Sequence, residues 1–135
     1  MADPLSYSVE VSPGVIESLG RQASGTIRKI AFDIEGEMKR LMSLPKSGRF
    51  YKVSKTGALH QASAPGEAPA VDTGNLRAGI KTDEVTPILF EVRIAAEYAS
   101  YLEYGTRRML PRPYVMPAIE TIKGRNEGIL GRVRR

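Results

Sequence analysis

Apolar and polar positions alternate strictly at the start of the chain. Leu5, Tyr7, Val9 and Val11 fall on one side, and Ser6, Ser8 and Glu10 on the other. This period of two predicts a half-buried β-strand. Ser12 and Pro13 then present an N-cap followed by a proline at the first helical position, where the missing N–H is not needed. Beyond them Ile16, Leu19, Ala23, Ile27, Ile30, Ile34, Met38 and Leu41 recur at steps of three and four, one stripe on a continuous α-helix. Leu44-Pro45 ends it. About 30 residues make a rod of roughly 45 Å. Gly20, Gly25 and Gly36 interrupt it, each costing about 1 kcal/mol against alanine, so the helix needs tertiary or subunit packing.

Pro45 to Asn75 carries four glycines, three prolines and no stripe running its length. Arg49–Ser54 and Ala58–Ala62 pair as a predicted hairpin around Lys55-Thr56-Gly57, where glycine supplies a positive φ. Ser63 to Ala70 holds prolines without a backbone donor and a glycine that resists order. A segment of about 30 residues with no core of its own is unusual in a compact monomer. It reads as an extended arm, either disordered or ordered on another subunit.

Regular structure resumes with a short turn through Gly74-Asn75-Leu76-Arg77, capped by Asp72 or Thr73. Ile80 to Thr82 starts a strand, Asp83 to Pro87 turns the chain, and Ile88, Phe90, Val92 and Ile94 alternate along a second strand. Ala96 to Tyr104 is a helical turn or two, stopped by Gly105. Pro111-Arg112-Pro113 imposes an extended approach to a final helix from about Tyr114, striped by Val115, Ile119, Ile122, Asn126, Ile129 and Val133. The expected architecture is one α+β domain over residues 1–135. A long N-terminal helix and a C-terminal helix pack on a small antiparallel sheet, with an extended arm or hairpin at 45–75 and a basic helical segment at 111–135.

Composition narrows the function. The chain has 135 residues, 41% of them apolar and 26% charged, the mix of one ordinary globular domain rather than a disordered chain. No run approaches the roughly 18 apolar residues of a membrane span. Met1 to Ser12 carries two acids and no base, which does not read as a signal peptide. With no cysteine in the chain, disulfides, thiolate metal sites and cysteine nucleophiles are excluded. An intracellular, cofactor-free protein without catalytic activity is expected. The net charge of +5 is lopsided, because residues 105–135 hold eight basic residues against Glu120 and Glu127. Such a tail suits an anionic neighbour, nucleic acid or an acidic protein face, and cations near a C-terminus also suit the helix dipole.

No active-site pattern is legible in the sequence. His60, the one histidine, has no partner legible in the sequence and reads as structural or surface. The acids are scattered, Asp83-Glu84 reads as a polar turn, and no metal cluster takes shape. Gly66 to Gly74 lacks the Gly-Lys-Ser/Thr of a P-loop, and neither Ser54 nor Ser63 sits in a nucleophile elbow. The C-terminal arginines have only Tyr114 as an aromatic companion, too little for a stacking platform, whereas non-specific phosphate contact needs charge alone. Tyr98, Tyr101 and Tyr104 read as core or interface packing.

Three segments carry a resemblance. His60 to Arg77 contains Asp72-Thr73-Gly74-Asn75-Leu76-Arg77; Ala99 to Thr106 contains Tyr101-Leu102-Glu103-Tyr104-Gly105-Thr106; Arg112 to Ala118 opens with Arg112-Pro113-Tyr114. Taken in that order, they resemble the small tail-component proteins of long-tailed double-stranded DNA phages. These are neck or tail-completion proteins encoded among head–tail joining genes, counterparts of the minor tail protein Z of phage lambda. The resemblance covers about His60 to Glu120. It implies a non-catalytic virion component, present in the host cytoplasm during assembly. It also implies a homo-oligomeric ring of six copies between the head's portal assembly and the tail tube, with head-closure, tail-terminator and tail-tube proteins as neighbours and duplex DNA in the channel. The arm would then lie across an adjacent subunit. Expected subunit or partner contacts are Phe50, Tyr51, His60, Pro65, Glu67, Pro69, Asp72, Arg77, Tyr101, Glu103, Tyr104, Arg107, Arg108, Arg112, Arg132, Arg134 and Arg135. Asp72 or Thr73 would fix where the arm rejoins the domain, Gly74 would permit close backbone approach, and Arg77 would make an ion pair or carbonyl contact. Two other readings compete: a small basic DNA-binding or packaging accessory protein, and a hydrolase built on His60.

Overall fold

The computed structural model describes residues 5–11, 13–52, 57, 59–70, 74–127 and 130–134. The alternating start forms strand β1 (Leu5–Val11), with Leu5, Tyr7 and Val9 buried. Helix α1 (Pro13–Leu19) follows, then a 3-10 turn (Gly20–Gln22) and helix α2 (Ala23–Met42). The stripe therefore runs through a break. Gly20 sits at φ +55°, outside the α-helical region, and α1 has no fully buried residue to hold it in line with α2. Ser12, the expected cap, lies outside the described residues. Within α2, Ile27, Ile30, Ile34 and Met38 are all at most 1% exposed. At about 2 kcal/mol per buried side chain, they outweigh the roughly 1 kcal/mol that Gly25 and Gly36 each cost. Lys46 Nζ donates to Leu41 O at 2.8 Å and Ser43 Oγ to Lys39 O, adding side-chain donors to carbonyls in the last turn of α2.

The expected hairpin is present as β2 (Phe50–Lys52) and β3 (Leu59–Gln61), with Tyr51 opposite His60. A short helix α3 (Asn75–Ala78) leads into β4 (Ile80–Thr86) and β5 (Leu89–Ile94). The strand before the turn is longer than its sequence pattern indicates, and the turn shrinks to Pro87-Ile88. A register shift between Glu84 and Thr86 accommodates the polar residues that read as a loop. Helix α4 (Ala99–Tyr104) and helix α5 (Val115–Arg125) complete the helical set.

The C-terminal reading needs correction. The last helix stops at Arg125, and Leu130–Arg134 forms strand β6, paired antiparallel to β1. Gly124 and Asn126 mark the exit from the helix, and β1 offers an otherwise unpaired edge, so backbone pairing wins over continuation of the stripe. Ile129 and Arg135 lie outside the described residues. The sheet runs β4-β5-β1-β6 with antiparallel neighbours throughout. α2 and α5 cover one face, where Val9, Ile80, Phe90, Val92 and Ile94 join Ile30, Ile34, Val115, Ala118 and Ile122 in one core. Ser6, Ser8, Lys81, Asp83, Glu91 and Arg93 alternate away from it. The result is the expected α+β architecture of helices on a small antiparallel sheet.

Candidate functional site

The segments that carry the resemblance converge at one corner, and Glu103 organises it. This carboxylate is 4% exposed. Its Oε2 accepts from the backbone N–H groups of Tyr114 and Val115 at 2.8 and 2.9 Å, and its Oε1 from that of Met116 at 3.0 Å. Pro113 and Tyr114 supply no side-chain cap for α5, so a carboxylate from α4 satisfies the orphan donors and meets the positive end of the helix dipole. Tyr114 is fully buried and donates its hydroxyl to Ala99 O. Burial, then the neighbouring Glu103 charge, pushes its phenol well above the usual tyrosine range.

Gly105 makes the turn possible. It sits at φ +77°, and a Cβ there would meet Met109 O at 2.8 Å and Pro111 Cδ at 3.0 Å. Arg112 N donates to Leu102 O at 2.7 Å and its Nε to Ser63 O at 3.2 Å. Gly66 N donates to Pro111 O. The proline-bearing strap, Ser63 to Ala70, is thus sewn to its own domain. Ser63, Ala68 and Pro69 are buried, and Glu67 accepts from Ala64 N, Ser47 N and Ser47 Oγ. These bonds, the Ser47 hydroxyl first, hold the Glu67 carboxyl below its ordinary range. The segment expected over 45–75 is thus the expected hairpin plus a strap that is ordered on its own domain, not disordered and not left for another subunit to order. The backbone N–H groups of Ala64, Gly66 and Glu67, around Pro65, find acceptors within the chain.

The interface residues expected from the sequence separate accordingly. Glu103 and Pro69 are interior, and Arg112 and Glu67 are half-buried and engaged within the chain. His60 is half-buried and also has an interaction partner. Pro65, Arg77, Arg107 and Arg108 are exposed, as is Phe50. Among the described residues Arg77 makes neither the ion pair nor the carbonyl contact expected of it. Gly74 takes φ +83° with open space around its Cβ position, so its role is conformational and not a close approach. Tyr51 pairs through its backbone, and Arg132 and Arg134 stand opposite Glu10 and Ser8 in the sheet register. Asp72 and Thr73 lie outside the described residues.

The outer surface of the corner is apolar and cationic. Tyr98, Tyr101, Tyr104, Leu110 and Met116 are all 44–65% exposed, with Arg107 and Arg108 beside them in the chain. The three tyrosines are not core, although Tyr104 Oη lies 3.0 Å from Tyr7 Oη. Sequence reading missed Leu110 and Met116. Met116 had a signal, because it falls off the Val115-Ile119-Ile122 stripe; Leu110 had only its place in a polar loop. Behind the corner a cleft of about 490 Å³ is shared by Leu76 and Arg77 from the first segment, Leu102 from the second and Arg112 from the third.

Among the described residues no three His, Asp or Glu side chains gather in a way that could hold a metal ion, and no helix is long and apolar enough to cross a membrane. Comparisons with protein-family models, curated proteins and solved structures find no match.

Proposed function

We propose that this chain is a non-catalytic virion protein of a long-tailed phage, assembling as a six-copy ring at the head–tail junction with head-closure, tail-terminator and tail-tube proteins as neighbours. The observation that carries this reading is the corner. Bonds from Glu103 and Arg112 rigidify it, while tyrosines, Leu110 and Met116 stay exposed, as do Arg107 and Arg108 in the loop between Tyr104 and Leu110. Tyr, Met and Arg are the residue types enriched in the buried centres of protein interfaces, and a pre-formed backbone lowers the ordering cost of association. Rings of identical copies build on such rigid patches.

Native mass measurement and negative-stain imaging of the purified chain, together with protein analysis of purified virions, test the reading. A closed six-copy ring, and the chain found in the neck of tailed particles, are expected. A strictly monomeric chain absent from virions overturns it. Duplex-DNA binding that falls steeply with salt, by a chain that never forms rings, would instead assign it to DNA packaging.

A further inference from the structure

The β4–β5 hairpin carries a surface opposite in charge to the corner. Asp83 and Glu84 are exposed in an edge strand, and neither forms an ion pair among the described residues. Val85 and Ile88, at the tip, are 53% and 44% exposed. The tip is therefore two free carboxylates around an apolar point. The corner is two exposed arginines, Arg107 and Arg108, around Tyr101, Leu110 and Met116.

These surfaces lie at opposite ends of the sheet. β5 leaves the tip at Leu89 and ends at Ile94, a run of roughly 17 Å, and α4 begins five residues later. The opposite path agrees. α5 starts beside Glu103 and feeds β6, whose Leu130 enters opposite Val11, beyond the Val9–Phe90 pair at the tip end of the sheet. Its 11 residues span roughly 16 Å. Tip and corner of one copy are held apart by rigid elements.

We propose that the acidic tip of one copy docks on the cationic, tyrosine-bearing corner of the next, giving a head-to-tail contact between identical chains. This deepens the oligomeric reading above and rests on it, naming the two faces that meet. Two different surfaces in contact make a heterologous interface, which closes into a ring when the rotation per copy permits and otherwise extends as a filament. Opposite charges select this register, and like charges in its place repel.

Charge exchange tests the pairing in the full-length chain. One variant carries Asp83→Arg and Glu84→Arg, a second carries Arg107→Glu and Arg108→Glu, and a third carries all four changes. Sedimentation velocity should show each two-site variant weakened by about tenfold or more in self-association. Their equimolar mixture, and the four-site variant, should associate as the parent does. Circular dichroism melts confirm that all remain folded. Because the chain lacks cysteine, Val85→Cys and Leu110→Cys chains provide a second readout. Oxidising their mixture should trap a Val85-site to Leu110-site linked pair, and neither chain alone should form one.

Two-site variants that associate like the parent, or a mixture that fails to recover, overturn the pairing while leaving a parental ring intact. Recovery and trapping with a parent that forms only open filaments sustain the pairing and remove the ring. A parent with no self-association and no trapped pair at millimolar concentration overturns the pairing, and the virion analysis above then stands as the separate test of the phage reading.

Discussion

The stretch from Phe50 to Ala70 contains two neighbouring regions of different composition and opposite fate. The β2–β3 hairpin bonds mainly to itself and leaves Phe50 60% and Leu59 70% exposed. The Ser63–Ala70 strap has two prolines and a glycine, yet it buries Ser63, Ala68 and Pro69 and exchanges bonds with Pro111, Arg112 and Ser47. Proline removes a backbone donor and glycine raises the entropy lost on ordering; neither settles whether distant groups supply the bonds that hold a segment. Order in the strap comes from the corner it rests on.

That contrast can be challenged from both sides. The largest effect is expected at Glu103, which supports the corner beneath the strap. Glu103→Ala leaves three backbone N–H groups at the start of α5 without their acceptor and should lower unfolding free energy by about 2–4 kcal/mol. Glu103→Gln, which keeps one carbonyl acceptor, should recover part of this. Urea denaturation measures both, and an unchanged midpoint in the alanine variant would mean that water replaces the cap.

An intermediate effect is expected at Glu67. Its carboxyl titrates below the ordinary value because Ser47 and Ala64 donate to it, so the folded strap binds fewer protons than the unfolded one. The stabilisation is present above the normal carboxylate range and is lost as pH falls through the depressed folded value. Hydrogen exchange across Ser63–Ala70 should accelerate between about pH 6 and pH 3 relative to the intrinsic rate, and Glu67→Gln should remove that dependence. A strap in the parent equally protected at both pH values would show that Glu67 does not hold it.

The smallest effect belongs to the hairpin. Phe50→Ser with Leu59→Ser should change stability by less than about 0.5 kcal/mol, because both side chains are already in solvent. A larger loss in the same denaturation experiment would place the hairpin in the core and erase its difference from the strap.

Periodicity and turn chemistry made several elements legible before any coordinates: β1, the stripe of α2, the β2–β3 pair and the glycine stop at Gly105. Each depends on residues a few positions apart. The reading failed where two local signals competed. Gly20 broke a helix whose stripe continued across it, and the Ile129–Val133 portion of a second stripe yielded to strand pairing. Of the candidate site, Tyr101, Tyr104, Arg107 and Arg108 were expected as contacts and are exposed, whereas Glu103, expected among them, is buried.

Short-range spacing in the chain was enough to specify a helix-and-sheet domain with a basic end and without cysteine chemistry. Packing alone could choose β1's edge as the partner of residues 130–134, fold the strap inward, and aim Glu103 at amides eleven to thirteen positions away. The physical reason is that a local pattern records which face of an element is apolar, while the mate of a strand edge or buried charge depends on what the completed fold brings alongside it.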